Sequence, residues 1–234
     1  MKQIFSLFLI ILLSNTLLAQ NQITKELGNF TTLTASKTVK ILLIPSDRNY
    51  IEIKIKNGDE QDLITEVVDG NLNISWYTGN WFTSWFADDD NSAEIKLYFK
   101  KLTHINVGSN ARIQSNEPVT NKTFTLEATD GGRLQLIMGA DNLNINSTSA
   151  GVITLKGEAN SIDVNVSSGG EFWGAEFVTN SSKVIASSGS SAIVYSTQKI
   201  DLKAGSGASI KYRGNPPQKI LDQSAWGGGS VKQM

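Results

Sequence analysis

The sequence predicts an all-β chain: a β-solenoid preceded by a strand-rich N-terminal cap region. Three observations carry this reading. Almost nothing after residue 20 has helical periodicity, whereas alternation with period two recurs. From about residue 102, turns of small residues return at a period near 20. Apolar residues stand at fixed offsets from those turns. Composition narrows the chemistry further. The 234 residues include 20 Gly and only 4 Pro, with no Cys and one His, and the formal net charge is −1. A hydrophobic fraction of 40% over this length supports a core and argues against general disorder. Near-neutral charge argues against a nucleic-acid binder. The lack of Cys removes disulfides, zinc ribbons and thiol catalysis, and a single His makes His-rich metal sites and most hydrolytic triads improbable. No cofactor is expected.

The chain opens on an export address. Residues 1–19 read as a signal peptide: Lys2 is the positive start, residues 4–13 form an apolar run broken only by Ser6, and Leu17-Leu18-Ala19 precedes a cut before Gln20. The run is short for a membrane span, an uncleaved anchor being the alternative reading. No Cys follows it, which excludes a lipoprotein anchor. Removal of Lys2 leaves 20 basic and 22 acidic residues. The expected location is the periplasm, the cell surface or the medium, without membrane insertion after cleavage.

Residues 20–101 form a β-rich region expected to run on into the solenoid. Strands are predicted at 39–44, ending at Pro45, and at 50–56, ending at the turn pair Asn57-Gly58. Two more, at 64–68 and 72–76, flank Asp69-Gly70, a tight hairpin, and another covers 94–99. The region reads as hairpins and meander.

Residues 102–234 are built from a repeat. With Asn110, Gly131, Ala150, Gly169, Gly189, Gly207 and Gly228 as anchors, the spacings are 21, 19, 19, 20, 18 and 21. Three residues after each anchor stand Ile113, Leu134, Ile153, Phe172, Ala192, Ile210 and Val231, all apolar. Five before stand Ile105, Leu126, Ile145, Val164, Val184, Leu202 and, as the exception, Gln223. Three before stand Val107, Ala128, Ser147, Val166, Ala186, Ala204 and Ala225. Each unit is strand, turn, strand and polar loop, about seven turns of roughly 20 residues. A β-sandwich is the competing reading, but its strands need not keep turns in phase over so many units.

The turns and the chain's end carry a resemblance. Gly108-Ser109-Asn110, Asp130-Gly131-Gly132, Ser149-Ala150-Gly151, Ser168-Gly169-Gly170, Ser188-Gly189-Ser190 and Gly205-Ser206-Gly207 follow an opening strand at Gly28-Asn29-Phe30. Tyr212-Arg213-Gly214-Asn215-Pro216 and then Gly227-Gly228-Gly229-Ser230-Val231 close the chain. In these features the chain resembles the auto-transporter adhesin head GIN domain family, over nearly all of its mature length. The resemblance implies a right-handed β-helix-like stack and an adhesin-type role, and says little about the ligand.

The candidate sites are few. Residues 76–86 hold three of the five Trp between two strands, where a short turn would suffice. Trp76, Tyr77, Trp81, Phe82, Trp85 and Phe86 suit stacking on sugar rings or anchoring a protein partner. Their plainer role is to cap the open end of the apolar column. Asp88, Asp89 and Asp90 follow as weak metal candidates. The Ca²⁺-loop pattern fails there, because its Gly and Glu places fall on Ala93 and Phe99. His104 opens a strand and lacks catalytic partners. Asp163, Glu171, Glu176 and Asp201 are read as scattered across different phases of the repeat, so no aligned carboxylate pair is expected. Phe172, Trp173 and Phe177 are read as core and side packing. Asn144, Asn146, Asn165 and Ser167 are expected to form polar ladders on an outer face. The expected function is non-enzymatic: an exported, adhesin-like binding module of the envelope or surface that meets a glycan or a surface protein. A structural or assembly role, with oligomer formation open, and a carbohydrate-active enzyme are the alternatives.

Overall fold

The structure is a computed structural model and describes residues 22–77, 91–223 and 227–234. Among these, sixteen strands follow in chain order. The first four are β1 (Gln22–Glu26), β2 (Thr32–Ala35), β3 (Val39–Pro45) and β4 (Tyr50–Asn57). After one 3-10 turn come β5 (Leu63–Val68), β6 (Asn71–Trp76), β7 (Ser92–Phe99) and β8 (His104–Val107). The long strands are β9 (Arg112–Ala128), β10 (Arg133–Ser147), β11 (Val152–Val166), β12 (Glu171–Ala186) and β13 (Ser191–Ala204). Short strands β14 (Ser209–Arg213), β15 (Gln218–Asp222) and β16 (Ser230–Gln233) end the fold. All belong to one hydrogen-bonded sheet wound into a β-solenoid of about seven turns. No helix among the described residues is long and apolar enough to cross a membrane.

Each long strand is one rung. In β10 the buried residues are Leu134, Leu136 and Met138, then Leu143, Ile145 and Ser147. The alternation slips by one place between Met138 and Leu143, so the chain rounds a corner there and faces the core again from the other side. The half after a turn is called here the outgoing face, and the half before the next turn the return face. Neighbouring rungs pair in parallel, with Leu134 beside Ile153 and Ile145 beside Val164. Apolar residues of one phase therefore stack in columns. The residues three after the anchors, from Ile113 to Val231, are all buried, as are the six apolar residues five before them. Each such Leu, Ile or Phe is worth about 1.5–3 kcal/mol relative to exposure.

The turns explain the small-residue period. All seven anchors have positive φ, between 60° at Ala150 and 84° at Gly228, and each follows a residue that also has positive φ. Two such residues in succession define a primed turn, which Gly, Asn and Ser tolerate best. The turn closes on itself, as in Gly151 N–H to the Thr148 carbonyl at 2.8 Å. It also bonds to the next turn: Ala150 N–H donates to the Ser168 carbonyl and Gly169 N–H to the Ser188 carbonyl, each at 3.1 Å.

The N-terminal strands extend both faces in the same sheet. On the outgoing face β3 pairs in parallel with β9 and β7, β4 pairs antiparallel with β7, and β1 antiparallel with β4. On the return face β8 pairs with β9, β2 with β8, β6 with β2, and β5 antiparallel with β6. The Asp69-Gly70 hairpin is as expected, but the meander is not. β3 and β4 do not pair with each other, because β7 lies between them. Across the first end Lys25 of β1 donates its Nζ to the Thr65 carbonyl and to Thr65 Oγ1 at 3.0 Å, joining the outermost strands of the two faces.

Candidate functional site

The candidate aromatic segment arises at the turn position of one rung. β2 passes to β3 through residues 36–38, with Lys37 at φ 65°. The adjoining rung is β6 and β7, held in register by Leu33 beside Leu72 and Val39 beside Ala93. There the connection occupies residues 77–91. Where three residues join β2 to β3, fifteen separate β6 from β7 at the N-terminal end of the stack.

Trp76 is 2% exposed and lies among the core residues. Its carbonyl accepts from Lys37 Nζ at 2.8 Å, whereas its buried indole Nε1 has no hydrogen-bond partner among the described residues. A Cβ on Gly58 would come within 3.2 Å of the Trp76 ring, so glycine makes room for the indole. Tyr77 is anchored through its backbone N–H to the Asp62 carbonyl at 2.7 Å, yet the residue is 58% exposed. The two neighbours therefore divide the roles read from the sequence, one packing and one facing solvent. Trp81, Phe82, Trp85, Phe86, Asp88, Asp89 and Asp90 lie outside the described residues. Among the described residues no group of three or more His, Cys, Asp or Glu side chains could hold a metal ion.

The polar residues of the return face are ordered by rung register. Asn146 stands beside Asn165, and Asn144 beside Asp163. Ser167 opens a turn, its carbonyl accepting from Gly170 N–H, and so leaves the ladder. One expectation is corrected here. Asp163 and Asp201 share a single phase, since Asp163 pairs with Lys183 and Lys183 with Asp201. Each lies six residues before its anchor, a regularity the sequence already held. Lys183 Nζ donates to Asp163 Oδ2 at 2.9 Å, and that bond, with the Asp163 charge, raises the lysine pKa above its ordinary value. Oδ1 of Asp163 and of Asp201 is buried with no hydrogen-bond partner among the described residues. The cation between the two acids makes this column an electrostatic stitch rather than a paired-carboxylate centre.

Other sequence candidates fall where packing puts them. His104 is exposed, with Nδ1 3.0 Å from Thr103 Oγ1. Phe172 and Phe177 are fully buried. Trp173 points outward, half-buried, and donates its indole N–H to Glu171 Oε2 at 2.9 Å. Sequence reasoning missed an aromatic pair on the outgoing face: Tyr50 and Tyr98 stack with centroids 4.1 Å apart and planes 6° off parallel. Burial, then the Glu52 charge, raises the Tyr98 pKa. Arg48 lies 5.1 Å over Tyr50 and pairs with Glu26 at 2.7 Å. Only the antiparallel pairing of β4 with β7 joins these rings, and residue alternation does not show which strands pair.

Known proteins share this architecture. A protein of Bacteroides fragilis described as "a putative adhesin" matches with TM-score 0.78 and 18% identity, over 92% of this chain and 98% of its own. A "putative lipid binding protein" of Parabacteroides distasonis matches with TM-score 0.68 and 18% identity, over 92% and 96%. A "putative adhesin" of the same organism matches with TM-score 0.69 and 17% identity, over 92% and 96%. At these identities the likeness shows the fold. No curated protein matches the sequence. The family model described as "Putative auto-transporter adhesin, head GIN domain" matches residues 29–216, and the chain belongs to that family.

Proposed function

We infer that the protein is an exported, non-enzymatic binding module of the cell envelope or surface, acting in the manner of an adhesin. Residues 1–19 serve as its signal peptide, and residues 20–101 and 102–234 work as one continuous body. The recognition element is the segment that follows the buried Trp76, from Tyr77 to Phe86, assisted by the polar ladders of the return face, and its target is a glycan or a surface protein. The observation that carries this reading is that fifteen residues, 77–91, separate β6 from β7 where three join β2 to β3, and that Tyr77 among them stands exposed. Aromatic rings offer flat apolar faces for sugar stacking or for protein anchoring. Family membership supports the adhesin role.

The test is a glycan array probed with wild type and with a Trp81→Ala/Trp85→Ala variant. Binding to a defined glycan set that the variant loses is the expected result. Absence of any bound glycan with either form would remove the lectin reading. A second reading, assembly with other copies or envelope proteins, has its own support. β15 ends the return face with Ile220 52% and Leu221 41% exposed. Light scattering against concentration distinguishes the two, since a mass that rises with concentration supports assembly.

A further inference from the structure

The outgoing face carries a column of charge in which cations outnumber carboxylates. Lys54, Glu94, Lys40, Arg112 and Arg133 occupy one phase on five neighbouring strands, β4, β7, β3, β9 and β10. In such a stack residues of one phase lie about 4.8 Å apart. Glu94 is the only carboxylate among these five residues, and it is already engaged; the next in the same phase is Glu171, two strands beyond Arg133, which accepts from Trp173 Nε1. Glu94 Oε2 lies 3.1 Å from Lys56 Nζ, and that bond, with the charges of Lys56, Lys40 and Lys54, holds the Glu94 pKa below the ordinary range. Lys40, Arg112 and Arg133 are exposed, and none makes an ion pair or a side-chain hydrogen bond among the described residues.

Like charges directly opposite on neighbouring strands destabilise a sheet. Beyond Arg133 the same phase passes through Val152 on β11 and Glu171 on β12 to a neutral run, Ser191, Ser209 and Ser230, on β13, β14 and β16. Two adjacent arginines beside a lysine are therefore a local choice, in a protein whose net charge is −1. Lys40 and Arg112 border a cleft of about 600 Å³ that Lys54, Glu94 and Gln114 line together with the ion pair Lys96–Glu52, and Arg133 stands on the next strand beside Arg112. Gln114 pairs with Gln135, so a row of exposed amides runs beside the row of cations.

We propose that this column is a binding site for a linear acidic polysaccharide laid along the stack axis. Each rung step approximates the length of one sugar residue. The guanidinium groups take carboxylate or sulfate groups in bidentate fashion, and the glutamines take hydroxyls. Glu52 and Glu94 in the same cleft accept from sugar hydroxyls but repel a densely charged polyphosphate, which separates this ligand from a nucleic acid. The site uses none of the residues of the aromatic segment.

Calorimetric titration of the full chain with polygalacturonate, neutral dextran and duplex DNA tests the assignment. Saturable, salt-weakened binding to polygalacturonate and none to dextran is expected. Arg112→Gln/Arg133→Gln should lower that affinity about tenfold or more. Arg112→Lys/Arg133→Lys should retain most of it, and Trp81→Ala/Trp85→Ala all of it. Lys199→Gln/Lys203→Gln, which removes two exposed cations from the return face, should leave it unchanged. The assignment is overturned by any of four results: no binding to polygalacturonate, equal loss in the Lys199/Lys203 variant, DNA bound as tightly as the glycan, or loss in the tryptophan variant alone. Matching thermal unfolding of the arginine variants and wild type ties the loss to the site rather than to the fold.

Discussion

Lys183 and Asp163 join successive rungs, Nζ to Oδ2 at 2.9 Å, and Asp201 stands on the far side of the same lysine. The bond raises the lysine pKa above 10.5. A raised value means the folded protein holds this proton more tightly than the unfolded chain. The contribution is therefore complete below pH 10.5 and disappears as pH rises through the folded value. Lys183→Met should lower the melting temperature at pH 7 and should converge with wild type in strongly alkaline buffer. Adding Asp163→Asn and Asp201→Asn should recover part of the loss at pH 7, because the variant alone leaves two acids without their cation. Scanning calorimetry at several pH values reads all three forms. A loss that persists unchanged at high pH would mean that the lysine acts through packing.

Trp76 and Tyr77 are adjacent in sequence and opposite in burial. Trp76→Ala should destabilise the protein by about 3–5 kcal/mol, as expected for a large buried side chain. Tyr77→Ala should change stability by less than about 0.5 kcal/mol and show itself only in binding. Urea unfolding of the two variants measures the difference. A large stability loss in the Tyr77 variant would argue that the segment packs down through this ring.

Two turn glycines should respond differently to the same methyl group. At Gly151 an added Cβ would stand 2.2 Å from the Ala128 carbonyl oxygen, a backbone atom of the previous rung. Gly151→Ala should therefore cost about 2 kcal/mol or more through overpacking. At Gly189 an added Cβ meets nothing within 4 Å, and only its φ of 68° resists. Gly189→Ala should cost about 1 kcal/mol, consistent with Ala150, which occupies the equivalent turn place at φ 60°. Chemical denaturation of both variants tests the order.

Glu94 should contribute to acid stability. The hydrogen bond from Lys56, assisted by the surrounding lysine charges, lowers its pKa below 4.5. Its contribution is present above that ordinary value and is lost as pH falls through the folded one. Glu94→Gln should therefore weaken the protein at neutral pH and flatten the loss of stability below pH 4.5. Added salt should shrink the difference, since the group is exposed. An unchanged gap at high salt would exclude this electrostatic origin.

The repeat was legible because its turns demand a backbone few residues accept. Two positive-φ residues in every period select Gly, Asn and Ser, and that selection fixed the phase of the columns from Ile113 to Val231. The order of the N-terminal strands was not legible. Alternation in residues 39–44 and 94–99 reveals which side of each strand is buried, but not that β7 inserts between β3 and β4. Strand partners are chosen by contacts between distant residues, which a local pattern does not record. The Asp163–Lys183–Asp201 column was present in the anchors and was missed by reading residue types without their offsets. The cations Lys40 and Arg112 are 72 places apart, so only the register of β3 with β9 brings them together.

Turns that bond to the rungs and turns beside them make the height of this protein a matter of copy number. A rung is recognised by its neighbours through phase rather than through identity. Excision of residues 152–170 would bring Glu171 to the place that Val152 now holds beside Arg133, because these two residues already share one phase. Duplication of the same stretch would lengthen the molecule by one step of about 4.8 Å. The ends and the long insertion between β6 and β7 would be untouched. A gene that gains or loses one period in register thus changes how far the chain's two ends stand apart while leaving each end's surface as it was.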